Sequence, residues 1–242
     1  MTDHKTATDA QAPLERLRFA FADVDARIAR TCERAARDPA EVRVLPITKT
    51  VPPEWLGSAM RLGAERFGEN RVQEAYAKAR LQPAARWELV GHLQSNKARQ
   101  AVQLFDEIHS VDSFDLAERL ARIAVDVGRA PYPVYLQVNV DADPAKAGFA
   151  PRELLSDAAR LAALDGLEVR GLMTVGRLVA RAEEARPTFR ALRELSVRLR
   201  ATDVRVGPGL SMGMSDDFEI AVEEGATVVR LGRVLFGERR LP

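Results

Sequence analysis

A (β/α)8 barrel, a TIM barrel with one extra N-terminal helix, is the α/β fold this sequence predicts, on three observations. Eight short β-rich runs recur along the chain, helical spacing fills most of the intervals between them, and the alternation occupies roughly 200 residues. An open doubly wound sheet is the other arrangement that such alternation permits. No G-x-G-x-x-G follows the first run, which weakens its dinucleotide-binding form.

The elements follow in order. Leu14, Leu17, Phe21, Val24 and Ile28 recur at three- and four-residue spacing and predict an amphipathic helix over about 13–35. The preceding stretch, MTDHKTATDAQAP, has no apolar core, so residues 1–12 are expected to form a disordered tail and 13–242 a single domain. Strands are expected near 42–48, 65–68, 87–91, 107–111, 133–139, 167–174, 203–206 and 227–231. Val72, Ala75, Tyr76 and Ala79 mark one intervening helix. Leu116, Leu120, Ile123 and Val127 mark another, and Phe189, Leu192, Leu195 and Leu199 a third.

Composition excludes several classes. The formal net charge is +1, with acids and bases interleaved, so there is no polybasic surface for nucleic acid or membrane. No apolar run approaches the roughly 20 residues that span a bilayer, and the N-terminus is not a signal peptide. Cys32 is the single cysteine, which removes internal disulfides and thiolate zinc sites and suits a structural role. The chain is expected to be reduced, soluble and cytoplasmic. Of 36 basic residues only Lys5, Lys49, Lys78, Lys97 and Lys146 are lysine. Arginine cannot give up a proton and act as an amine nucleophile, so each lysine merits inspection.

In such a barrel, functional residues sit at the C-terminal ends of the strands. Those ends are Lys49, FGENR (67–71), GHLQSNK (91–97), HSVDS (109–113), Asn139, LMT (172–174), GPGLSMGMSDD (207–217) and RLGR (230–233). The last two loops suit an anion. Ser211 offers a hydroxyl, and Gly232 allows close backbone approach beside the amide of Arg233. Tight turns alone would also explain these glycines. Asp216 and Asp217 fit a helix first turn, where Asp216 and Glu219 resemble a capping box. His92, after Gly91, is placed to line a pocket, whereas His109 is expected to be structural. Lys97 reads as a surface lysine on the helix after the third strand. A strand-end lysine usually reaches for solvent. Here it faces a phosphate site across the rim, the layout that pyridoxal 5′-phosphate (PLP) requires. Lowering a lysine pKa from about 10.4 to about 7, so that the amine can attack, costs roughly 4.6 kcal/mol.

Taken together, ITKT, RFGENRVQE, LVGHLQSNK, SVDS, QVN with KAG, GLMTV, LSMGMSDDFEIAVEEGATVVRLG and LFG resemble the YggS/PROSC family of pyridoxal phosphate homeostasis proteins. The blocks run from about 42 to 237, and their order and spacing make the resemblance specific. It implies an alanine-racemase-like barrel carrying PLP as a Schiff base on the lysine that falls at Lys49. It implies that Ser211, Gly232 and the Arg233 amide hold the phosphate, and that Arg230 lies near the pyridine nitrogen, keeping it unprotonated. Asn70, His92, Met173 and Met212 line the pocket by position. Two departures stand out. Arg233 occupies a position often held by a small hydroxyl residue, and Trp87–Glu88 replaces an aromatic–histidine pair, for which the sequence offers no account.

The resemblance implies a carrier that buffers PLP within the cell and delivers it to apo PLP-dependent enzymes, without catalysis and as a monomer. A PLP-dependent racemase-like enzyme is the alternative. Fold relatives of that kind place a catalytic tyrosine on a further β-domain, and this sequence ends six residues after Phe236, so the carrier is expected. A Schiff-base aldolase acting on a sugar phosphate would use lysine and phosphate too, but has no use for Arg230.

Overall fold

The computed structural model describes residues 3–238 apart from 178, 203 and 204. Helix α1 (Asp3–Arg34) precedes strand β1 (Arg43–Pro46). There follow α2 (Pro53–Arg61), β2 (Arg66–Glu69), α3 (Val72–Leu81), β3 (Arg86–Leu89), α4 (Ala98–Leu104), β4 (Glu107–Val111), α5 (Phe114–Asp126) and β5 (Tyr132–Gln137). The chain continues through α6 (Pro151–Ser156), α7 (Ala158–Ala162), β6 (Leu167–Met173), α8 (Arg186–Arg200), β7 (Val206–Ser211), α9 (Phe218–Glu223), β8 (Val228–Leu231) and α10 (Arg233–Phe236).

All strand pairs are parallel, in the order β1-β8-β7-β6-β5-β4-β3-β2. An isolated parallel bridge, Ile47 to Gly68, joins β1 to β2 and nearly closes the ring. This is the (β/α)8 barrel expected, not an open doubly wound sheet. No helix among the described residues is long and apolar enough to cross a membrane.

Two apolar layers result from strand alternation. Leu45, Ile47, Tyr135, Met173 and Val228 pack inside the barrel. The residues between them in sequence, such as Val229 and Leu231, face the helices and join the larger outer core. The helical stripes do what their spacing predicts. Leu116, Leu120 and Ile123 of α5 are buried, and Ser113 caps that helix by accepting from the Leu116 amide at 3.3 Å. Phe189, Leu192, Leu195 and Leu199 of α8 are buried likewise. In α3 the stripe is narrower than its spacing suggests: Val72 and Ala75 are buried but Tyr76 is exposed.

Helix α1 begins at Asp3, so it extends into the stretch expected as a disordered tail, and only residues 1 and 2 of that tail lie outside the described residues. Ala7, Ala10, Gln11 and Ala12 are good helix formers, which a search for an apolar stripe overlooks. Its buried face, Leu17, Val24, Ile28 and Cys32, packs on α2, α9 and α10. Each fully buried aliphatic side chain there contributes about 1.5–3 kcal/mol.

The seventh strand departs most from expectation. It was expected near 203–206, of which 203 and 204 lie outside the described residues, but it runs from Val206 to Ser211. Gly207, Pro208 and Gly209 read as a loop, yet they are strand. A Cβ built on Gly171 of β6 would lie 1.9 Å from the Gly209 carbonyl oxygen, so glycine here permits the close approach of β6 and β7. This five-residue advance moves Ser211 from a loop into the barrel wall.

Candidate functional site

The mouth of the barrel is organised by the end of β1. Ile47 donates its amide to Leu231 O of β8 at 2.8 Å, and Thr48 donates to Gly68 O of β2 at 3.0 Å. The Thr48 hydroxyl donates to Glu69 Oε1 at 2.6 Å, and Lys78 Nζ meets the same oxygen at 2.6 Å while also donating to Thr48 O. Glu69 is fully buried. These ties fix the backbone on which half-buried Lys49 is mounted. Thr50 follows with φ +63°, a left-handed conformation costly for a β-branched residue, and such strain clusters at functional sites.

Strand β8 pairs with β1 and β7 pairs with β8, so the three form one continuous stretch of the barrel wall. Arg230 is buried; its Nη1 donates to Ser211 Oγ at 2.9 Å and its Nη2 to Thr174 O at 2.8 Å. Burial pushes its guanidinium down to about 10, against the opposing pull of Asp217. Gly232 follows at the rim, and a Cβ there would touch Ile47 O at 3.4 Å, so this turn lies directly against the Lys49-bearing segment. Ser215 Oγ accepts from the Val234 amide of α10 at 3.2 Å.

The predicted site residues divide accordingly. Gly232 and the Arg233 backbone lie beside the segment that carries Lys49, and Arg230 is buried on β8 just before them. Asn70 is half-buried at the end of β2, where Gly91 packs so closely that a Cβ would lie 2.3 Å from the Asn70 carbonyl oxygen. His92 is exposed on the rim and pairs with Asp112 at 3.1 Å. Met173 is buried inside the barrel. Met212 is not in the pocket: its side chain belongs to the outer core between sheet and helices, because it alternates with Ser211. Ser211 itself is fully buried beneath Arg230, and the hydroxyl beside the α10 amides is that of Ser215. The Arg233 side chain is committed to Asp216, with Glu238 at 3.7 Å.

The capping box is corrected as well. Asp217, not Asp216, is the N-cap of α9, and its Oδ1 accepts from the Met214 amide at 2.6 Å. Glu219 pairs with Arg27 of α1 at 2.9 Å.

Sequence reasoning missed the polar interior altogether. His109 is fully buried, with Nδ1 at 2.9 Å from Ser211 Oγ and Nε2 at 3.0 Å from Glu88 Oε2. Glu88 accepts from Arg43 at 2.7 and 3.2 Å and from Arg66 at 3.0 Å. Burial works against the Glu88 charge, but His109 and Arg43 outweigh it and hold the carboxyl down to about 2. Burial likewise opposes charge on His109, yet Glu107 and Glu88 raise the ring above its ordinary value. Glu88, Glu107 and His109 are metal-ligand types that converge within 4.8 Å, but Arg43 and Arg66 already supply positive charge to Glu88. The signal in the sequence was charge on the inward positions of buried strands, at Arg43, Arg66, Glu88 and Glu107. The Trp87–Glu88 departure thereby has an account: Glu88 is the hub of this network.

A family model for the alanine racemase N-terminal domain matches residues 23–240. The pyridoxal phosphate homeostasis protein of Pseudomonas aeruginosa is 41% identical over 222 residues, covering 90% of this chain and 94% of that protein. The structure of PipY from Synechococcus elongatus, solved with PLP bound, is 41% identical with a TM-score of 0.76, covering 87% of this chain and all of that one. An alanine racemase from Clostridium difficile shares the fold, with a TM-score of 0.72 at 15% identity, over 94% of this chain and 58% of that one. This chain therefore belongs to the alanine racemase N-terminal domain family and, within it, to the pyridoxal phosphate homeostasis proteins.

Proposed function

We propose that the protein binds PLP reversibly through Lys49, holds it in reserve in the cytoplasm and delivers it to apo PLP-dependent enzymes, as a monomer and without turnover of its own. The observation that carries this reading is the convergence of an amine, a guanidinium, a hydroxyl and helix-start amides at the ends of three neighbouring strands, β1, β8 and β7. The donor set fits the cofactor. When bound, PLP supplies an aldehyde that an amine can capture and release. Lys49 would hold that end.

Ser215 Oγ and the amides of Gly232 and Arg233 would hold the phosphate, because the first amides of a helix have no partner within it. Arg230 would face the ring nitrogen. It is held by Ser211 and Thr174, and a guanidinium keeps its protons, so it donates a hydrogen bond there without transferring a proton. That restrains the ring's capacity to accept electrons and favours storage over catalysis. Asn70, His92 and Met173 would border the pocket. The names of the relatives and the PLP bound in PipY support the same assignment.

The test is an absorption spectrum of the protein with PLP before and after borohydride, followed by peptide mapping. The expected result is one fixed adduct, on Lys49, that the Lys49→Ala protein lacks. An equivalent adduct in that variant defeats the assignment. Mixed with amino acids, the loaded protein is expected to show no steady turnover; sustained racemisation favours the enzyme instead.

A further inference from the structure

A continuous hydrogen-bonded chain crosses the barrel interior. It starts at Arg43 and Arg66, which line a cleft of about 620 Å³ at the N-terminal end of the strands. It passes through Glu88, His109 and Ser211 and ends at Arg230 beside the cofactor mouth. Ser211 is the informative link. Its oxygen already accepts from Arg230 Nη1. If Nδ1 of His109 carries a proton, the ring donates and Ser211 accepts twice. If Nδ1 is bare, Ser211 donates to the ring and accepts only from Arg230.

We propose that His109 is a positioning residue for the cofactor, acting through Ser211, whose hydrogen-bond direction and hence hold on Arg230 change when the imidazole gains or loses its proton. The inference rests on the PLP reading above. Protonated His109 places a second positive charge behind Arg230; neutral His109 removes it and pulls the Ser211 hydrogen inward. The groups around the ring are Glu88 on β3, Glu107 on β4 at 3.7 Å, Arg43 and Arg66 on β1 and β2 through Glu88, and Tyr135 on β5 with ring centroids 4.5 Å apart. Ser211 and Arg230 complete the shell from β7 and β8, with Asp217 facing Arg230. The carboxylates favour the protonated ring.

The chain has three histidines, so the His109 ring can be followed by NMR in the PLP-loaded protein. Its titration is to be compared with that of the bound-PLP absorption band over about pH 5 to 10. The expected result is one shared midpoint, which moves to lower pH by the same amount in both signals in Glu88→Gln, and again in Glu107→Gln, a change that leaves the Arg43–Glu88–Arg66 cluster intact. His109→Gln is expected to lose that component of the band's pH response. A band midpoint that stays in place while His109 moves, or a ring that never titrates in any of these proteins, overturns the positioning role alone. A wild-type protein that shows no bound-PLP band overturns the cofactor reading, and this inference with it.

Discussion

Glu88 illustrates how one residue can organise a barrel interior. Its carboxylate is fully buried and bonded to Arg43, Arg66 and His109. Removing one member of a buried charged network leaves the others unpaired, so Glu88→Ala is expected to cost about 3–5 kcal/mol, measured by urea unfolding. The folded carboxyl is held near 2 against an ordinary value of 4.5. A depressed carboxylate stabilises the fold fully above the unfolded value and loses that contribution as pH falls. The urea midpoint should therefore drop between about pH 4.5 and 2, and less steeply in Glu88→Gln. The position of Lys49 just past the end of β1 was legible because it is local to one strand. Glu88 and His109 were not, because their meaning depends on partners from five other strands. Ser211 and Ser215 show a third case, in which the right residue type was seen and its direction was not.

At the scale of the element, direction follows register. The Gly207–Pro208–Gly209 run carries the composition of a turn, but it is strand because β6 presses against it. Propensity alone could not reveal that pressure. Gly171 has φ +155°, and a Cβ there would collide with the Gly209 carbonyl oxygen. Gly171→Ala is expected to lower stability by about 1–3 kcal/mol, seen as a fall in thermal midpoint. Helix α1 gives the converse lesson. Its stripe of Leu14, Leu17, Phe21, Val24 and Ile28 was legible from spacing, and Leu17, Val24 and Ile28 are its buried members, whereas the sequence of its first turns carries no such stripe. Because Cys32 is fully buried under this helix, a thiol reagent should not label it until the protein unfolds.

For the whole molecule, the eightfold alternation was readable and the uneven closure was not. Strands β5 and β6 share six register pairs, while β1 and β2 meet through one bridge and the Thr48 bonds to Gly68 and Glu69. The Thr48 amide is expected to exchange with deuterium faster than amides of β5, and to slow when PLP is added, because Lys49 lies on that seam. Strand pairing at this closure comes from side chains as much as from ladder bonds, a balance that strand counting does not disclose. The disposition of the lysines has a consequence of its own. Lys78 is locked to Glu69 and Thr48, and Lys146 donates to the carbonyls of Val175 and Gly176. With arginine filling nearly every other cationic position, a reactive aldehyde meets few competing amines on this surface. Chemoselectivity is thereby written into composition: the attachment proposed for Lys49 would owe as much to the amines withheld elsewhere as to a pocket shaped around it.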